Sequence, residues 1–441
     1  MHNYKRAYNG RKLTPYFMPH IAIAGGGIAG LATAIHLTRL GESVSVYEQV
    51  LDPTPVGAGL LLQPSGQAML EELNLLDKVK AKAARVDSLE GYSGGWKSLD
   101  LHYKRIHAEW HGLGIHRASL HQILWQCAIE LGVPIHLGQG ITTFEQDEQG
   151  VFFRVSDAGG VKPGDRHDDL GDQGGHTDRA DALIIANGTR SQLRAQLPIP
   201  QVHKPYPWGA FWTVLDKDDW PFPHILMQRY RSARVMLGVL PTGINPLTGQ
   251  QCYSLFWSLP KTAFGEYQMQ GMQGLIQRIA PIWPEVAQWL SMAPKTPIAI
   301  AEYADVRLRQ YHHQRVLVMG DAAHAMSPQL GQGANMALID ASILAKSWSA
   351  HKEHKSNRMN VADVTDTFAQ FSQRRRKQIA YYQMASKLMT PLYQSNYPIG
   401  WLRDIGTSIG HRIPAVYRQY LLTLCGAKQG ILDFGARIED L

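Results

Sequence analysis

The stretch from Val316 to Asn335 combines residue types that could bind a polar or charged ligand. An apolar run stops at Asp321 and continues through a glycine-rich loop into a helical pattern. A carboxylate at the end of a buried strand can accept hydrogen bonds from sugar hydroxyls. A helix N-terminus carries partial positive charge and free N–H donors, so it favours an anion or a polarised carbonyl.

A second glycine-rich motif, Gly25-x-Gly27-x-x-Gly30, lies near the start of the chain between an apolar strand and a helical pattern. Glu48 follows Gly30 by 18 residues, at the end of the next predicted strand. In such a unit Gly25 permits a tight turn, Gly27 lets a pyrophosphate approach the backbone, and Gly30 lets the helix pack on the strand. The acid accepts hydrogen bonds from ribose hydroxyls, which favours FAD or NAD over NADP at this site.

The two glycine motifs together favour FAD. A single motif also occurs as a structural turn, and NAD needs no second glycine loop about 300 residues later. FAD is longer, and its flavin ring lies far from its adenine. We therefore expect Asp321 to bind the ribityl hydroxyls and Gly331–Gly333 to lie against the ring. The helix that follows would then favour the negative charge of the reduced flavin.

The arrangement of predicted elements indicates an α/β protein with several parts. Alternating strands and helices over residues 18–200 predict the first part of a Rossmann-like FAD-binding domain. Short aromatic-rich strands over 201–300 predict an inserted, mostly antiparallel β-sheet domain that binds substrate. Residues 301–360 return to the FAD-binding domain, and residues 361–441 form a helical C-terminal region.

Composition limits the class of protein. The chain has 441 residues, 44% hydrophobic and 18% charged, which predicts a globular protein of two or three domains. Three scattered cysteines argue against a disulfide scaffold or a zinc site and favour a reducing cytoplasm. A net charge of +7 favours anionic partners, but the basic residues are not interleaved with aromatics, so nucleic acid is not predicted. The basic, amphipathic C-terminal region gives weak support for peripheral membrane contact.

Two hydrophilic stretches are interpreted as accessory. Residues 1–17 are polar and basic, and we expect them to be a dispensable extension before Met18. Residues 157–180 are rich in Gly, Asp and His and are expected to form a surface loop that caps a hairpin. No metal site is predicted there, because the histidines and acids have no fixed ligand spacing.

Three motifs in the same order give the chain a specific resemblance. They are Gly25–Gly30 with Glu48, then Asp181–Arg194, then Gly320–Gly333. Over about residues 18–385 the chain resembles the group A flavoprotein monooxygenases, single-component FAD-dependent aromatic hydroxylases similar to para-hydroxybenzoate and salicylate hydroxylases. The resemblance matches Arg117 to an FAD-contacting arginine and Gly57–Leu60, which includes Gly59, to a mobile flavin loop.

The motifs and the resemblance together predict a set of site residues. The FAD-binding candidates are Gly25, Gly27, Ile28, Ala29, Gly30, Glu48, Gly59, Arg117, Asp321, Pro328, Gly331, Gln332, Gly333, Ala334 and Asn335. The candidates for the substrate pocket are Trp212, Phe256, Trp257 and Pro328. No catalytic triad is evident, and His116 and His324 are expected to support the structure around the flavin.

The resemblance implies a reaction. NADH or NADPH would reduce the flavin, oxygen would add to form a C4a-hydroperoxyflavin, and one oxygen atom would pass to an electron-rich aromatic or heteroaromatic small molecule. Two alternatives remain: a flavin-dependent oxidase or dehydrogenase on the same fold, and a noncatalytic flavin-binding partner. A halogenase is less favoured because the chain has no Trp-x-Trp-x-Ile-Pro segment.

One position departs from the family pattern. The middle motif normally begins Asp-Gly, and here Asn187 precedes Gly188. Asparagine keeps the size and the hydrogen-bonding capacity of aspartate but loses its charge. We expect flavin binding to survive this change and the use of the nicotinamide reductant to be affected. Arg190 and Arg194 follow closely, either to attract the phosphates of that reductant or to form surface salt bridges.

Overall fold

The structure is a computed structural model that describes residues 19–53, 58–157, 175–216, 219–293, 297–354, 361–431, 433 and 438. The expected extension at 1–17, Gly57 of the expected mobile loop, and most of the hydrophilic stretch at 157–180 lie outside the described residues.

The strands are, in chain order, β1 (His20–Ala24), β2 (Ser43–Glu48), β3 (Gly59–Leu62), β4 (Ala84–Val86), β5 (Ser88–Ser93), β6 (Trp96–His102), β7 (Gly112–His116), β8 (Ile135–Leu137), β9 (Gln139–Gln146), β10 (Val151–Asp157), β11 (Gly175–Ala180), β12 (Ala182–Ile185), β13 (Gln201–Asp216), β14 (Ile225–Arg231), β15 (Val235–Ile244), β16 (Gln251–Pro260), β17 (Ala299–Leu308), β18 (His312–His313) and β19 (Val316–Val318).

The helices are α1 (Ile28–Arg39), α2 (Pro64–Glu72), α3 (Leu76–Lys80), α4 (Arg117–Glu130), α5 (Gln192–Ala195), α6 (Phe264–Ile279), α7 (Pro284–Met292), α8 (Asp321–His324), α9 (Gly333–His354), α10 (Val361–Tyr393), α11 (Gly400–Gly410) and α12 (Pro414–Leu424). None of the helices in the described part of the chain is long and apolar enough to cross a bilayer.

A six-stranded sheet with the order β18-β19-β12-β1-β2-β8 forms the centre of the first layer. All of its neighbouring strands pair in parallel except β18, which is antiparallel to β19. Its inner strands β1, β12 and β19 are mostly apolar, and Ile23, Ile184 and Leu317 are fully buried, as in a sheet covered on both faces. Parallel pairing brings the carboxyl ends of β1, β12 and β19 to one edge, where α/β sheets bind ligands.

A seven-stranded sheet with the order β17-β13-β16-β15-β14-β5-β6 forms the second layer. Its pairs are antiparallel, as the aromatic strands predict, except that β14 runs parallel to β5. Strands β5 and β6 lie within residues 18–200, and β17 overlaps the predicted return at 301–360. This sheet therefore draws strands from three separate stretches rather than from 201–300 alone.

Two smaller sheets complete the strand pairing. Residues 175–180 of the hydrophilic stretch form β11, a strand rather than the expected loop, because they pair antiparallel with β10. β10 pairs in turn with β9. β3 and β4 both pair with β7 and lie beside β15 of the second layer. This last sheet therefore connects the two layers close to the predicted flavin loop.

Helix α6 packs on the second sheet through aromatic residues near its start. It begins at Phe264 and contains a break at Gly271, whose φ of 56° is non-helical. Phe264 and Tyr267 are buried in the core that α6 shares with this sheet. Tertiary packing of these aromatics therefore stabilises the first turns of the helix.

Candidate cofactor-binding site

A cavity of about 250 Å³ lies at the edge where β1, β12 and β19 end. The predicted residues that line it are Gly25, Gly27, Ile28, Ala29, Glu48, Arg117, Asp321 and Gly333. The lining residues that the list of candidates omitted include Tyr47, Gln49, Gly140, Ile141, Ala186, Asn187, Gly188 and Ala337. Both glycine motifs thus contribute to one cavity.

The glycines of the first motif have different surroundings. Gly25 has a φ of +109°, a backbone conformation that favours glycine. A Cβ on Gly30 would overlap the carbonyl oxygen of Gly25, so α1 can approach β1 only with glycine there. A Cβ on Gly27 would meet nothing within 4 Å, since it would point into open space. Gly27 also provides no side-chain cap for α1, which leaves that helix N-terminus available to an anion.

Glu48 is fixed in place at the cavity by backbone donors. Its Oε2 accepts a hydrogen bond from the Gly26 N–H at 2.7 Å, and its Oε1 accepts from the Val50 N–H at 2.9 Å. Each carboxylate oxygen can accept a further bond from a ligand hydroxyl. His121 of α4 contacts the Gly26 carbonyl through Nε2 at 2.8 Å, and burial lowers the pKa of its imidazole. No pattern in the sequence indicated this role for His121.

Arg117 begins α4 and lines the cavity near the first glycine motif. Its backbone N–H donates to the carbonyl of Ala58 at 3.2 Å, which ties α4 to the segment before β3. His116 is buried, and its Nδ1 accepts from the N–H of Ala118 at 3.2 Å, so it caps α4. His116 thus holds the helix that presents Arg117, in line with the expected supporting role.

A buried acid behind Asp321 organises the second motif. Asp340 of α9 is fully buried, and its Oδ2 accepts from the Gly320 N–H at 2.8 Å and from His324 Nε2 at 2.7 Å. Its Oδ1 accepts from Nε of the fully buried Arg375 at 2.6 Å. Burial alone would raise the pKa of Asp340, but His324 and Arg375 outweigh it and lower the pKa to about 2. The ionised Asp340 therefore holds the turn that presents the exposed Asp321 carboxylate.

This network shows what the sequence prediction missed. His324 has the supporting position expected of it, but Asp340 and Arg375 were not among the candidates. A signal was available, because Asp340 interrupts the apolar stripe of α9 next to the buried Ile339. An acid in such a stripe needs a buried partner.

Some residues of the loop at the start of α9 line the cavity, and others fix the loop in place without lining it. Gly333 lines it, and a Cβ there would lie 3.8 Å from Asp321 Oδ1. Gly331 has a φ of +60° and ends the 3-10 turn that starts at Pro328. Asn335 is fully buried: its Oδ1 accepts from the Gln63 N–H at 2.9 Å, and its Nδ2 donates to two backbone carbonyls. Asn335 therefore fixes the loop and does not face the cavity.

Several other predicted cofactor residues also lie outside the cavity lining. They are Gly30, Gly59, Pro328, Gly331, Gln332 and Ala334. Gln332 Nε2 donates to the Leu424 carbonyl at 2.5 Å, so it ties the loop to α12. The Gly59 N–H donates to Ser254 Oγ at 2.7 Å, and a Cβ on Gly59 would lie 2.6 Å from Thr242 Oγ1. Glycine is required there because β3 crosses the second sheet closely.

The middle motif places three polar side chains differently. Asn187 lines the cavity, and its Oδ1 is buried without a hydrogen-bond partner among the described residues. Arg190 is exposed and forms an ion pair with Glu302 at 2.8 Å. Arg194 is buried and donates to the carbonyls of Thr189 and Ala322, both at 3.0 Å. Arg194 forms neither a surface salt bridge nor an accessible phosphate contact, which corrects both expectations for it.

The aromatic candidates divide between the two faces of the second sheet. Trp212 pairs with Phe256 across β13 and β16, with ring centroids 5.1 Å apart, and its Nε1 donates to the Tyr303 hydroxyl at 3.2 Å. Trp257 points to the opposite face, where its ring meets Tyr267 of α6 at 5.0 Å. Trp257 and Phe256 face opposite sides of the sheet because successive residues of a strand alternate, and the place of Trp257 in the substrate pocket stays a prediction.

The cavity has the donors and acceptors that FAD requires. The N-terminus of α1 and Arg117 provide positive charge for a pyrophosphate. Glu48 and Asp321 provide carboxylates for hydroxyl groups, and Asn187 Oδ1 is a buried acceptor with no partner in the described chain. A cavity with these three features fits a long ligand with a pyrophosphate between two hydroxyl-bearing groups.

Comparison with known proteins establishes the family. The sequence profile of the family described as FAD binding domain matches residues 19–360, so the chain belongs to this family. The 3-hydroxybenzoate 6-hydroxylase of Polaromonas naphthalenivorans is 29% identical over 339 residues, covering 74% of this chain and 78% of that protein. The 6-hydroxynicotinate 3-monooxygenase of Bordetella bronchiseptica is 25% identical over 347 residues, covering 74% and 82%.

Solved structures share the fold. A variant of HpxO from Klebsiella pneumoniae complexed with FAD aligns with a TM-score of 0.73 at 18% identity, covering 92% of this chain and 99% of that chain. The resemblance to group A flavoprotein monooxygenases is therefore confirmed. FAD as the cofactor and the class of FAD-dependent monooxygenase are confirmed with it.

Proposed function

We propose that the protein uses NADH or NADPH and molecular oxygen to hydroxylate an electron-rich aromatic or heteroaromatic small molecule. The observation that carries this proposal is the single cavity into which both glycine motifs and two carboxylates converge. When bound there, FAD supplies the redox chemistry, since it accepts a hydride from the nicotinamide and activates oxygen for transfer to the substrate ring. The relatives named above are a 3-hydroxybenzoate 6-hydroxylase and a 6-hydroxynicotinate 3-monooxygenase, which supports a substrate of this kind.

We assign the first glycine motif to the adenosine and pyrophosphate end of FAD. Glu48, held by the Gly26 and Val50 N–H groups, would accept hydrogen bonds from ribose hydroxyls. The open space at Gly27 admits the pyrophosphate to the N-terminus of α1, and Arg117 adds a charge-assisted contact. These residues bind and orient the cofactor and take no part in the oxygen transfer.

We assign the second motif to the flavin end. Asp321, presented by the turn that Asp340 anchors, would accept hydrogen bonds from the ribityl chain. The N-terminus of α9 begins at Gly333, where its partial positive charge would stabilise negative charge on the reduced ring. This stabilisation costs no reorganisation because the helix end is already in place.

We assign the substrate to the face of the second sheet that carries Trp212 and Phe256. Gly59 joins this sheet to the flavin side through its hydrogen bond to Ser254. Phe256 is buried and Trp212 half-buried, so together they offer an aromatic ring an apolar surface and exclude water from it. Pro328, at the start of the 3-10 turn before α9, would approach the substrate from the cofactor side.

The test is oxygen incorporation by the FAD-loaded protein. NADH and NADPH consumption are measured with a panel of phenols, anilines and hydroxylated heteroaromatics, together with peroxide release and product mass under labelled dioxygen. A substrate should raise the rate of consumption, lower the peroxide fraction and carry one labelled oxygen atom. Absence of label in every product would refute the proposal.

The same experiment separates the alternatives. An oxidase or dehydrogenase would show reduction of the flavin by the substrate itself, without a nicotinamide. A noncatalytic flavin-binding partner would oxidise NADH and NADPH slowly, at a rate that no ring compound changes. Asn187 bears most directly on this last alternative, because it replaces the acid that supports the reductant in the resembled family.

A further inference from the structure

The outer surface of α11 and α12 is apolar. Its large exposed side chains are Tyr397, Trp401, Leu402, Ile405, Ile409, Ile413, Val416 and Tyr420, which we call the α11–α12 face. Trp401, Ile405 and Ile409 are spaced by four residues and are 58%, 51% and 55% exposed, so they form one stripe along α11. Surface helices of globular proteins ordinarily turn such a stripe inward.

The inner side of α11 is polar instead, and it is firmly attached. Arg403 is buried, and its Nη1 donates to the carbonyls of Ser232 at 2.9 Å and Leu392 at 3.2 Å. Its guanidinium also lies over the rings of Tyr230 and Tyr393, at 4.3 and 5.3 Å from their centroids. These contacts fix the rotation of α11, so its apolar stripe is held outward.

The exposed stripes of α11 and α12 form one continuous surface. A Cβ added to Gly410 would lie 3.0 Å from the ring of Tyr420 and 3.3 Å from Val416. The C-terminal end of α11 therefore abuts the exposed residues of α12. A contiguous exposed apolar surface formed by two helices is typical of an interaction site.

The charge around this face identifies the kind of partner. Between residues 387 and 424 the basic residues other than the buried Arg403 are Lys387, Arg412 and Arg418, all exposed, and the single acid is Asp404. That acid is already engaged, because Arg403 Nε donates to its Oδ1 at 2.9 Å. Arg412 directly precedes Ile413 of this face, and Lys387 lies on α10, the helix that packs against α11. Aromatic and aliphatic side chains within a basic surround are typical of surfaces that insert into the interface of an anionic bilayer.

We propose that the α11–α12 face binds an anionic lipid bilayer peripherally. Trp401, Tyr397 and Tyr420 would lie at the level of the head groups, with the isoleucines just below them. A second copy of the chain is the less favoured occupant, because a symmetrical dimer through this face would bring two basic surfaces together. This inference is independent of the reaction proposed above.

The test is flotation of the FAD-loaded full chain with lipid vesicles. Vesicles of phosphatidylcholine alone are compared with vesicles that also contain phosphatidylglycerol, at low and high salt. Binding is expected to the anionic vesicles and to weaken with salt. Replacing both Trp401→Ser and Ile405→Ser should weaken binding at least about tenfold, from the apolar area withdrawn. Replacing Lys387→Gln and Arg412→Gln should weaken it about fivefold per charge at low salt.

A matched control uses exposed apolar residues elsewhere. Leu247 and Met269 are both 84% exposed and lie on other elements, so Leu247→Ser with Met269→Ser should leave vesicle binding unchanged. The thermal transition and the FAD content of each variant show that it is folded. Failure of the wild type to float with anionic vesicles would overturn the proposal. So would a wild-type dimer that the Trp401→Ser, Ile405→Ser variant converts to a monomer, since a second copy would then occupy the face.

Discussion

Replacing Asp340 by asparagine removes the charge that joins the cofactor turn to the C-terminal region. The substitution keeps the shape of the side chain but removes the counter-ion of Arg375. Arg375 is fully buried, and no other acid pairs with it among the described residues. Breaking a buried ion pair by removing one partner costs about 3–5 kcal/mol of unfolding free energy. At about 2.1 cal/mol/K per residue, a chain of 441 residues has an unfolding entropy of about 0.9 kcal/mol/K. The melting temperature should therefore fall by about 3–6 °C.

The pH dependence gives a second measurement of the same interaction. Since the pKa of Asp340 in the folded protein is about 2, below its ordinary value of 3.8, the ionised carboxylate stabilises the fold above about pH 4. That contribution is lost as the pH falls toward 2. The difference in unfolding free energy between wild type and Asp340→Asn should have its full value at pH 7 and should become smaller below pH 4.

Thermal and urea denaturation of the two proteins, with and without FAD, measure both quantities. Asp321→Asn is the matched control, because Asp321 lies on the same turn but is exposed in the cavity. It should lower FAD affinity while leaving the stability of the FAD-free protein within about 0.5 kcal/mol of wild type. An Asp340→Asn protein that unfolds within about 1 kcal/mol of wild type at pH 7 would refute the assigned role of the network.

Five further substitutions test the site and its surroundings. Gly30→Ala should destabilise the fold by about 1–3 kcal/mol, because its Cβ would overlap the Gly25 carbonyl oxygen just after β1. Gly27→Ala should leave stability unchanged and lower FAD affinity in a fluorescence titration, because its Cβ would point into the open cavity. Trp212→Ala should raise the peroxide fraction during turnover, while Trp257→Ala should cost about 3–5 kcal/mol in urea denaturation because it empties part of the core under α6. Asn187→Asp should retain FAD and raise the rate of flavin reduction by NADH or NADPH in stopped flow; an unchanged or slower rate would contradict the importance given to this position.

The sequence could predict those parts of the site where only one or two residue types meet the geometric or chemical requirement. A backbone φ of +109° at Gly25 and the close approach of α1 at Gly30 both demand glycine, so spacing alone reveals them. Glu48 and Asp321 were predictable because an acid at the end of a strand, or within a few residues of it, lies near the carboxyl edge of the sheet. The antiparallel character of the second sheet followed from short aromatic strands without intervening helices.

The remaining features depend on contacts between distant stretches of chain. Nothing near Arg375 in sequence indicates that it pairs with Asp340, because the two meet only when α9 and α10 pack together. The register of β13 with β16 places Trp212 and Trp257 on opposite faces of the sheet, and neither residue type nor spacing indicated this register or which face lies under α6. The outward stripe of α11 depends likewise on where Arg403 is anchored.

The cavity has a consequence for how the protein is made. Gly25 and Asp321 line one cavity but are separated by about 300 residues of chain, which a ribosome takes roughly 15–60 s to synthesise. Strand β12 pairs on one side with β1, but its other edge stays open until β19 has been made. The proposed FAD site is therefore complete only after most of the polypeptide has been synthesised. A shortage of FAD would therefore lower the amount of full-length protein that stays folded, and it would leave the folding of nascent chains unchanged.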